Sequence, residues 1–367
     1  FENKGSNIFN GDPLTGGDGG QGGVFVAVPN VYGVWKYSDT VRFGFGVNAP
    51  YGLITDYDWE WQGRYNEITT SLKVTNVNAV GAIRLTDNLS LGAGLNIQYA
   101  FAKLRQAIDF GTVCAGALGP PVCQGAFGLT PQSNDGGGFV RGEDAGFGFN
   151  AGLHYHPTKQ TRFGIHYRSK VKFNFDGQVD FSVPVPARTF FTIAGIPSAF
   201  TDTSANFDLT IPETASVSVY HTLSSDWSLM SDITWTRWSR FQRLQIVFGD
   251  PVTPDNILET QWHNTFRASV GLTYRYSDTY LLRGGVAFDE SPIDDEFRGP
   301  GIPDSDRYIV AVGFSRPLSE TSSFELAYQH FFLKKGLTQR PSGTGSVLAG
   351  HFNVNVDVLS MGVVMAF

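Results

Sequence analysis

Apolar and polar residues alternate along many short stretches of this 367-residue chain. From Leu89 to Phe101, apolar side chains occupy every odd position, and small or polar residues occupy the even ones. The segment from Leu359 to Phe367 shows the same period of two. Successive side chains of a β-strand point to opposite faces of the sheet, so this period predicts strands with one apolar face. The chain is therefore predicted to be all-β.

Short polar turns alternate with long connections along the chain. The short turns lie at 38–40, 86–88, 157–160, 224–226, 277–278 and 316–319. The long connections lie near 6–22, 56–63, 107–142, 182–204, 248–260, 289–306 and 336–350. Together they join fourteen antiparallel strands, with short turns at one end and long loops at the other, as in bacterial outer-membrane barrels. We therefore predict one transmembrane β-barrel domain over residues 1–367, with a partial first strand at residues 1–5 and extracellular loops near 107–142 and 182–204.

The last strand carries an aromatic residue at its end, Phe367, which is also typical of such barrels. Upstream of Leu359 the apolar positions change parity. They become Phe352, Val354, Val356 and Val358. This change indicates either a β-bulge or a locally apolar barrel interior.

Composition agrees with a barrel and excludes several other classes. No stretch approaches the run of about 20 apolar residues that a membrane-spanning helix needs. Glycine is abundant, with 43 residues, and aromatic residues make up 14% of the chain. The net charge of −7 and the lack of a basic patch with interleaved aromatics argue against nucleic-acid binding. No lipase-type elbow, phosphate loop or zinc motif is present, so we predict that the protein is not an enzyme.

Several segments resemble the FadL family of outer-membrane transporters. They follow the family order along nearly the whole chain, at 47–53 with 61–65, 146–152, 167–171, 208–213, and 287–292 with 302–307. The resemblance implies a fourteen-stranded barrel that takes up long-chain fatty acids or other hydrophobic compounds, including aromatic hydrocarbons, by passive diffusion without a cofactor. Family members carry an N-terminal plug, the hatch. Because this chain starts in the predicted first strand, we expect the hatch to be absent.

Two of the predicted extracellular loops are unusually apolar. Exposed apolar patches are uncommon unless they bind something, so the loops either pack on each other as a cap or leave a groove that captures substrate. The resemblance implies the groove. The candidate binding residues in these loops are Leu118, Phe127, Phe190, Phe191, Ile193, Ile196 and Phe200. The family pattern adds Gln106 and His263 as polar positions near the pocket, and neither is a fixed positive charge, so fatty acids and neutral hydrocarbons are both candidates.

Cys114 and Cys123 are the two cysteines of the chain and lie in the first apolar loop. A disulfide is the expected state of such a pair in an oxidising envelope compartment. A metal or redox pair is the alternative, but the spacing and the partners of such sites are missing. The sequence therefore predicts a disulfide that closes a short loop.

The third predicted strand is interrupted at Asn48, Ala49, Pro50, Tyr51 and Gly52. Proline cannot donate to a strand ladder, and glycine tolerates unusual backbone angles. The interruption is either a simple bulge or, as the resemblance implies, an inward kink that opens a side window to the bilayer. A lateral exit suits an apolar substrate, which then avoids the aqueous periplasm.

Cationic side chains follow two further rows. The first is predicted to face the barrel lumen near a short turn, and it comprises His154, His156, Arg162, His166, Arg168, Lys170 and Lys172. No carboxylate or cysteine completes a ligand set there, so no metal site is predicted. Lys103 and Arg105 continue an outward row beyond the aromatic end of their strand, and we expect them to meet lipopolysaccharide phosphates.

These patterns together predict a monomeric outer-membrane barrel for the passive uptake of hydrophobic molecules. Its partners would be those molecules, the surrounding outer-membrane lipid and lipopolysaccharide. A general diffusion porin is the leading alternative, and an adhesin or phage receptor is the third.

Overall fold

The computed structural model describes residues 5–9 and 11–367, and this part of the chain consists mainly of β-strands. Its strands are β1 (Val31–Lys36), β2 (Val41–Asp56), β3 (Thr69–Thr86), β4 (Leu89–Asp109), β5 (Asp135–Tyr155), β6 (Thr161–Arg168), β7 (Val171–Ser182), β8 (Thr203–Ile211), β9 (Thr214–Thr222), β10 (Trp227–Thr236), β11 (Arg243–Phe248), β12 (Asn256–Glu259), β13 (Thr265–Arg275), β14 (Leu281–Asp289), β15 (Arg307–Ser319), β16 (Ser322–Leu333), β17 (Gly336–Pro341), β18 (Val347–Phe352) and β19 (Asn355–Met365). The all-β prediction is confirmed.

Seventeen of these strands form one sheet, and β17 and β18 form a separate hairpin. Neighbours pair antiparallel from β1 to β5. Next come two interrupted positions, in which β6 continues as β7 and β8 as β9. The sheet then runs through β10, β13, β14, β15 and β16 to β19.

The sheet has fewer positions than strands. Strand β11 continues the line of β10, and β12 and β13 likewise share one line. If each interrupted strand is counted once, the sheet has thirteen positions within the described residues. Its two edges are β1 and β19, each paired there with a single neighbour. The predicted first strand, at residues 1–5, lies outside the described residues except for Gly5.

The strands present apolar side chains outward. Along β4, Leu95, Ile97 and Tyr99 are exposed, whereas Asn96, Gln98 and Ala100 between them are buried. Leu95 is 70% exposed, and Phe147 on the next strand is 74% exposed. Water would penalise such a continuous apolar belt, so its natural surroundings are lipid. No helix among the described residues is long and apolar enough to cross a membrane.

The first apolar loop is shorter than predicted. Strands β4 and β5 stay paired as far as Asp109 and Asp135, so the predicted loop at 107–142 shrinks to 110–134. The misleading signal was the glycine run 136–138. A Cβ on Gly136 would lie 2.1 Å from the Ser182 carbonyl oxygen, so glycine is required there by close strand contact rather than by a turn.

The shortened loop folds into α1 (Phe110–Leu118), α2 (Pro120–Val122) and a π-helical turn (Cys123–Phe127). The second apolar loop contains α3 (Val185–Ile193). A 3₁₀ turn, Trp238–Arg240, separates β10 from β11. The predicted connection at 336–350 is largely the β17–β18 hairpin.

The predicted lumen row is wrong in its last two members, Lys170 and Lys172, because the strand changes face at Ser169. The Ser169 hydroxyl accepts a hydrogen bond from the Phe149 amide at 2.9 Å, where a regular ladder would use a backbone carbonyl. After this irregularity, Val171 points inward and is buried, and both lysines are exposed on the outer face.

The parity change ahead of Leu359 is not a bulge. Strands β16 and β19 keep one continuous register from Ser322↔Met365 to Phe332↔Asn355. Val356 and Val358 therefore share the inward face with Ser360, which leaves the locally apolar interior of the two alternatives.

Candidate functional site

An apolar cavity of about 770 Å³ lies at the long-loop end of the sheet. This volume is within the range of small-molecule binding sites, roughly 300–1,000 Å³. Strands β4, β5, β7 and β11 supply its walls, and α1 and α3 lie over it. The apolar wall residues include Leu104, Ile108, Val140, Val179, Phe181, Leu244, Ile246 and Phe248. They face inward because each strand alternates with a polar or small outer row.

The helices above the cavity pack through aromatic rings. Phe110 meets Phe191 and Phe200 edge to face, with centroids 5.8 and 5.2 Å apart. Phe127 meets Phe190 in the same manner at 5.6 Å. A disulfide joins Cys114 to Cys123 beneath these rings, and both cysteines are fully buried. The two apolar loops thus pack on each other and also form the roof of a cavity.

The cavity has one polar end, formed by Glu67 and Arg340. Both side chains are buried. Arg340 donates to the carbonyl oxygens of Phe297 and Glu259, at 2.6 and 2.7 Å. Burial raises the pKa of Glu67 to about 7, and the nearby Arg340 guanidinium opposes that rise. A positive charge and a carboxyl that titrates near neutrality therefore lie at one end of the cavity, whose lining also includes Arg105, Asp255, Glu259 and Glu296.

The residues predicted to bind substrate divide into two groups. Phe190, Phe191, Ile196, Phe200 and Gln106 line the cavity, and the Gln106 side-chain oxygen accepts a hydrogen bond from Asn256 at 3.2 Å.

The other predicted residues lie elsewhere. Phe127 packs in the roof, and Leu118 and Ile193 point to solvent, 47% and 70% exposed. His263 is also outside the cavity lining, with its Nδ1 atom 3.8 Å from a carboxylate oxygen of Asp294.

Sequence reasoning missed the wall from β11 and the polar end of the cavity. Leu244, Ile246 and Phe248 alternate with Arg243, Gln245 and Val247, so a period-two signal was present but short. Arg340 stands in the polar run Gln339–Pro341, where nothing local indicates burial. Its burial results from the β17–β18 hairpin folding over the cavity.

A second cavity, of about 600 Å³, lies nearer the short-turn end. The polar residues that line it include His154, Arg162, Tyr220, Asp232, Arg267 and Gln329. His154 and Arg162 belong to the predicted lumen row, and this part of the row does face the interior. Among the described residues, no group of three or more potential metal ligands is present.

A packed apolar core separates the two cavities. The cavity near the short turns, here the lower cavity, is lined on β6 by residues up to Gly164. The cavity under the helical loops, here the upper cavity, is lined on β7 from Val179 onward. Between them, Val171, Phe173 and Phe175 are at most 1% exposed. Phe175 stacks on Phe207 of β8 with centroids 4.6 Å apart. The buried cluster that contains these residues also includes Val74 of β3 and Ile246 of β11, so apolar side chains from several strands pack together at this level.

The predicted kink in β2 coincides with a β-bulge. Pairing with β3 shifts between Asn48↔Asn76 and Tyr51↔Val74, so Ala49 and Pro50 together oppose one residue. After the bulge, Tyr51 points inward and packs against the apolar core. Gly52 is exposed on the outer face.

The opposite edge of β2 loses its partner at the same level. Strand β1 pairs with β2 only from Lys36↔Arg42 to Val31↔Val47. The next backbone contact on that side is the Asp56 amide, which donates to the Gly22 carbonyl oxygen at 2.9 Å. Between these points the described residues show no pairing with β2, and the segment 23–30 beside it is exposed. Among the described residues, this edge of β2 is therefore unpaired beside the bulge.

A sequence model of the family described as "Outer membrane protein transport protein (OMPP1/FadL/TodX)" matches residues 3–367. The chain belongs to this OMPP1/FadL/TodX family. The protein is thus an outer-membrane β-barrel of a family that transports hydrophobic compounds, and the family is one of transport channels rather than enzymes. In such barrels, short turns face the periplasm and long loops face outward.

Similar proteins agree with this family membership. The "Long-chain fatty acid transport protein" of Salmonella typhi is 31% identical over 308 residues, which cover 83% of this chain and 69% of the relative. A solved FadL homologue from Pseudomonas aeruginosa has a TM-score of 0.90 at 25% identity, covering 99% of this chain and 86% of that one. The Ralstonia pickettii toluene transporter TbuX has a TM-score of 0.65 at 18% identity, covering 96% and 84%. This last likeness supports the fold alone.

Proposed function

We propose that this FadL-family protein takes up hydrophobic molecules passively, as one monomeric, fourteen-stranded barrel domain. Substrate is captured at the helical extracellular loops, enters the upper cavity, and leaves sideways into the bilayer at residues 48–52. No cofactor, energy source or enzymatic step is required.

The packed core below the upper cavity is the observation that carries the proposal. A general porin needs a continuous aqueous passage, whereas buried apolar side chains from β3, β4, β5, β7, β8 and β11 pack into one cluster at this level. A molecule in the cavity is thus more easily released through the wall than through the core. The bulge in β2 and its unpaired edge supply the opening at the matching level.

The outer surface of the helical loops suits capture of an apolar molecule. Leu118 of α1 and Ile193 of α3 remain exposed, as do Val122 and Val185 next to them. Exposed apolar groups on a loop cap carry a free-energy cost that binding of an apolar ligand offsets. The same two helices contribute Val113, Phe190 and Phe191 to the cavity below. Captured substrate therefore needs to pass only one layer of side chains.

The lining of the upper cavity favours long-chain fatty acids over neutral hydrocarbons as the substrate. Its walls suit either class, but Arg340 places a guanidinium at one end, which matches a carboxylate. One relative is named for fatty-acid transport and one structural neighbour for toluene. We therefore propose a fatty acid with its carboxylate toward Arg340 and its chain toward Leu104 and Leu244.

Uptake of labelled oleate and labelled toluene by cells expressing this chain, in a host lacking its own fatty-acid transporter, tests the proposal. Oleate uptake above the empty-vector level supports it, and loss of that uptake in Arg340→Gln locates the carboxylate. Toluene uptake alone would restrict the function to hydrocarbons. If purified protein instead gives steady ohmic ion conductance and no hydrophobic uptake, the lateral route is wrong and a porin takes its place.

A further inference from the structure

A cluster of cations lies on the outer face of the barrel, immediately above the lipid-facing belt. It consists of Lys73 on β3, Lys103 and Arg105 on β4, and Arg141 on β5, and is here termed the basic girdle patch. All four follow the outward parity of their strands, continuing the rows that contain Val77, Tyr99 and Phe147.

The three strands reach this patch at one common level. A tilted strand crosses the hydrocarbon layer in about 9–11 residues. Each charge is a similar number of residues from the periplasmic end of its strand. Lys73 is thirteen residues from Thr86, Lys103 is fourteen from Leu89, and Arg141 is fourteen from Tyr155. The charges therefore lie just past the extracellular boundary of the hydrocarbon, at the depth of lipid phosphates.

Strand register places like charges face to face. Lys103 is the direct cross-strand partner of Arg141. Lys73 is opposite Phe101, two residues from Lys103 on the same face. Like charges directly opposite each other destabilise a strand pair unless another charge offsets them.

Neighbouring acidic groups offset only part of this charge. Asp180 lies 3.3 Å from the Arg141 guanidinium, and the Glu143 carboxylate instead accepts the Tyr99 hydroxyl. For Lys73, Lys103 and Arg105 no ion pair with a carboxylate is found among the described residues.

Aromatic rings contact three of these cations, and the Arg141 guanidinium lies 5.9 Å from the ring centroid of Phe139. Arg105 stacks over Trp59 at 4.7 Å from the ring centroid, and Lys103 lies 5.2 Å from that of Phe101. Cation–π contacts orient a charge without neutralising it. The cations are thus positioned and remain available to an external anion.

We propose that the basic girdle patch binds the phosphate groups of the glycolipid in the outer leaflet of the outer membrane, lipopolysaccharide. One phosphate placed between Lys103 and Arg141 offsets the like-charge pair, and Arg105 and Lys73 flank it. Lys73, Lys103 and Arg141 do not line the cavity, so this interaction is separate from uptake at these three residues, whereas Arg105 also belongs to the cavity lining.

Binding of lipid A to the purified full chain, counted by native mass spectrometry, tests the proposal. The probes are lipid A with both phosphates, lipid A without phosphate, and phosphatidylglycerol. The test variant is Lys103→Gln/Arg105→Gln. The control is Lys36→Gln/Lys159→Gln, which removes two exposed cations at periplasmic turns. Heat-dependent electrophoretic mobility checks that each barrel is folded.

At roughly fivefold per cation near an anionic surface, the test variant is expected to bind phosphorylated lipid A about thirtyfold more weakly, and the control as wild type. Lys73→Gln, a single exposed change, is expected to lose about fivefold and keeps the proposal testable if the double variant misfolds. Equal binding of lipid A with and without phosphate would overturn it. So would unchanged binding in all variants, or phosphatidylglycerol binding as strong and as patch-dependent as that of lipid A.

Discussion

Tyr51 and Trp238 pack edge to face, with ring centroids 6.0 Å apart, and so connect the bulge in β2 to the interior. Tyr51 is the first inward residue after the bulge, and its hydroxyl lies 3.5 Å from the Pro212 carbonyl oxygen. Trp238 packs in turn on Trp262, with centroids 5.1 Å apart. Leu244 touches this aromatic cluster and also lines the upper cavity. The proposed exit route from the cavity to the unpaired edge of β2 therefore passes the Tyr51–Trp238 contact.

Truncation of Tyr51 is expected to ease that passage. An edge-to-face aromatic pair contributes about 0.5–1.5 kcal/mol beyond its buried area, which corresponds to roughly two- to tenfold in an opening equilibrium. Tyr51→Ala should therefore raise the initial rate of oleate uptake by about that factor where exit is limiting. Tyr51→Phe, which keeps the ring, is the matched control and should behave as wild type. A Tyr51→Ala rate equal to that of the control would show that this contact does not limit exit.

Deletion of Pro50 is expected to close the side opening. The bulge exists because Ala49 and Pro50 oppose one residue of β3, so removal of one of them restores one-to-one pairing without turning either strand over. Oleate uptake should fall toward the empty-vector level while the barrel stays folded. Pro50→Ala keeps the extra residue and serves as the control, with uptake near wild type. Normal uptake in the folded deletion variant would rule out exit at this site.

Gly52 is a less suitable position for that test. It has an outward orientation, and an added Cβ would meet only the Leu72 carbonyl oxygen, at 3.9 Å. Gly52→Val is therefore expected to leave the interior path open. The sequence alone indicated a kink over residues 48–52, but the distinction between inward Tyr51 and outward Gly52 depends on the register shift.

Loss of the disulfide should loosen the loop cap without unfolding the barrel. Cys114 and Cys123 close a short loop, and in the chain-entropy model the disulfide stabilises it by about 2–3 kcal/mol. Cys114→Ala/Cys123→Ala is expected to speed proteolysis and amide exchange within residues 110–134, because Phe110 and Phe127 lose their common anchor. The β17–β18 hairpin provides an internal comparison, since its exchange should stay unchanged. Equal protection of residues 110–134 in both proteins would contradict this role.

Local patterns predicted the strands well, and contacts between distant segments decided where prediction failed. The alternation along β4 correctly predicted its lipid-facing row, because the two-residue period of side-chain direction depends on a single strand. The face change at Ser169 depends on a side chain that replaces a ladder carbonyl on another strand, so Lys170 and Lys172 were assigned to the wrong face. The glycines at 136–138 indicated a loop, whereas close contact with Phe110 and Ser182 requires glycine at 136 within a strand.

The candidate site shows the same division. Apolar composition identified Phe190, Phe191, Ile196 and Phe200, which line the cavity. Glu67 of the β2–β3 connection and Arg340 of β17 come together from segments far apart in sequence, and neither segment contains a local signal for it. His263 was assigned from the family pattern alone, and the structure places it beside Asp294, outside the cavity lining.

Glu67 is expected to make fatty-acid binding depend on pH near neutrality. Its buried carboxyl has a pKa raised from 4.5 to about 7, so it is largely neutral below pH 7 and negative above it. Below pH 7 Glu67 no longer offsets the charge of Arg340, although Glu259 still opposes it, so Arg340 attracts the carboxylate of oleate more strongly. Above pH 7 the Glu67 carboxylate repels it, by about 1–2 kcal/mol at an effective dielectric constant near 20. Oleate affinity, measured by titration of purified protein from pH 6 to pH 8, should therefore fall by roughly five- to thirtyfold.

Two comparisons separate this mechanism from a general effect of pH. Glu67→Gln should bind oleate at pH 8 as tightly as wild type does at pH 6, with little variation between, and toluene affinity should be flat in both proteins because toluene carries no charge. Linkage gives a second readout. The folded-state pKa of Glu67 is above its unfolded value, so the stabilisation from its neutral form is complete below about pH 4.5 and is lost as pH rises toward 7. Glu67→Gln should remove that part of the pH dependence of unfolding. Oleate binding that weakens equally with pH in wild type and Glu67→Gln would place the titrating group elsewhere.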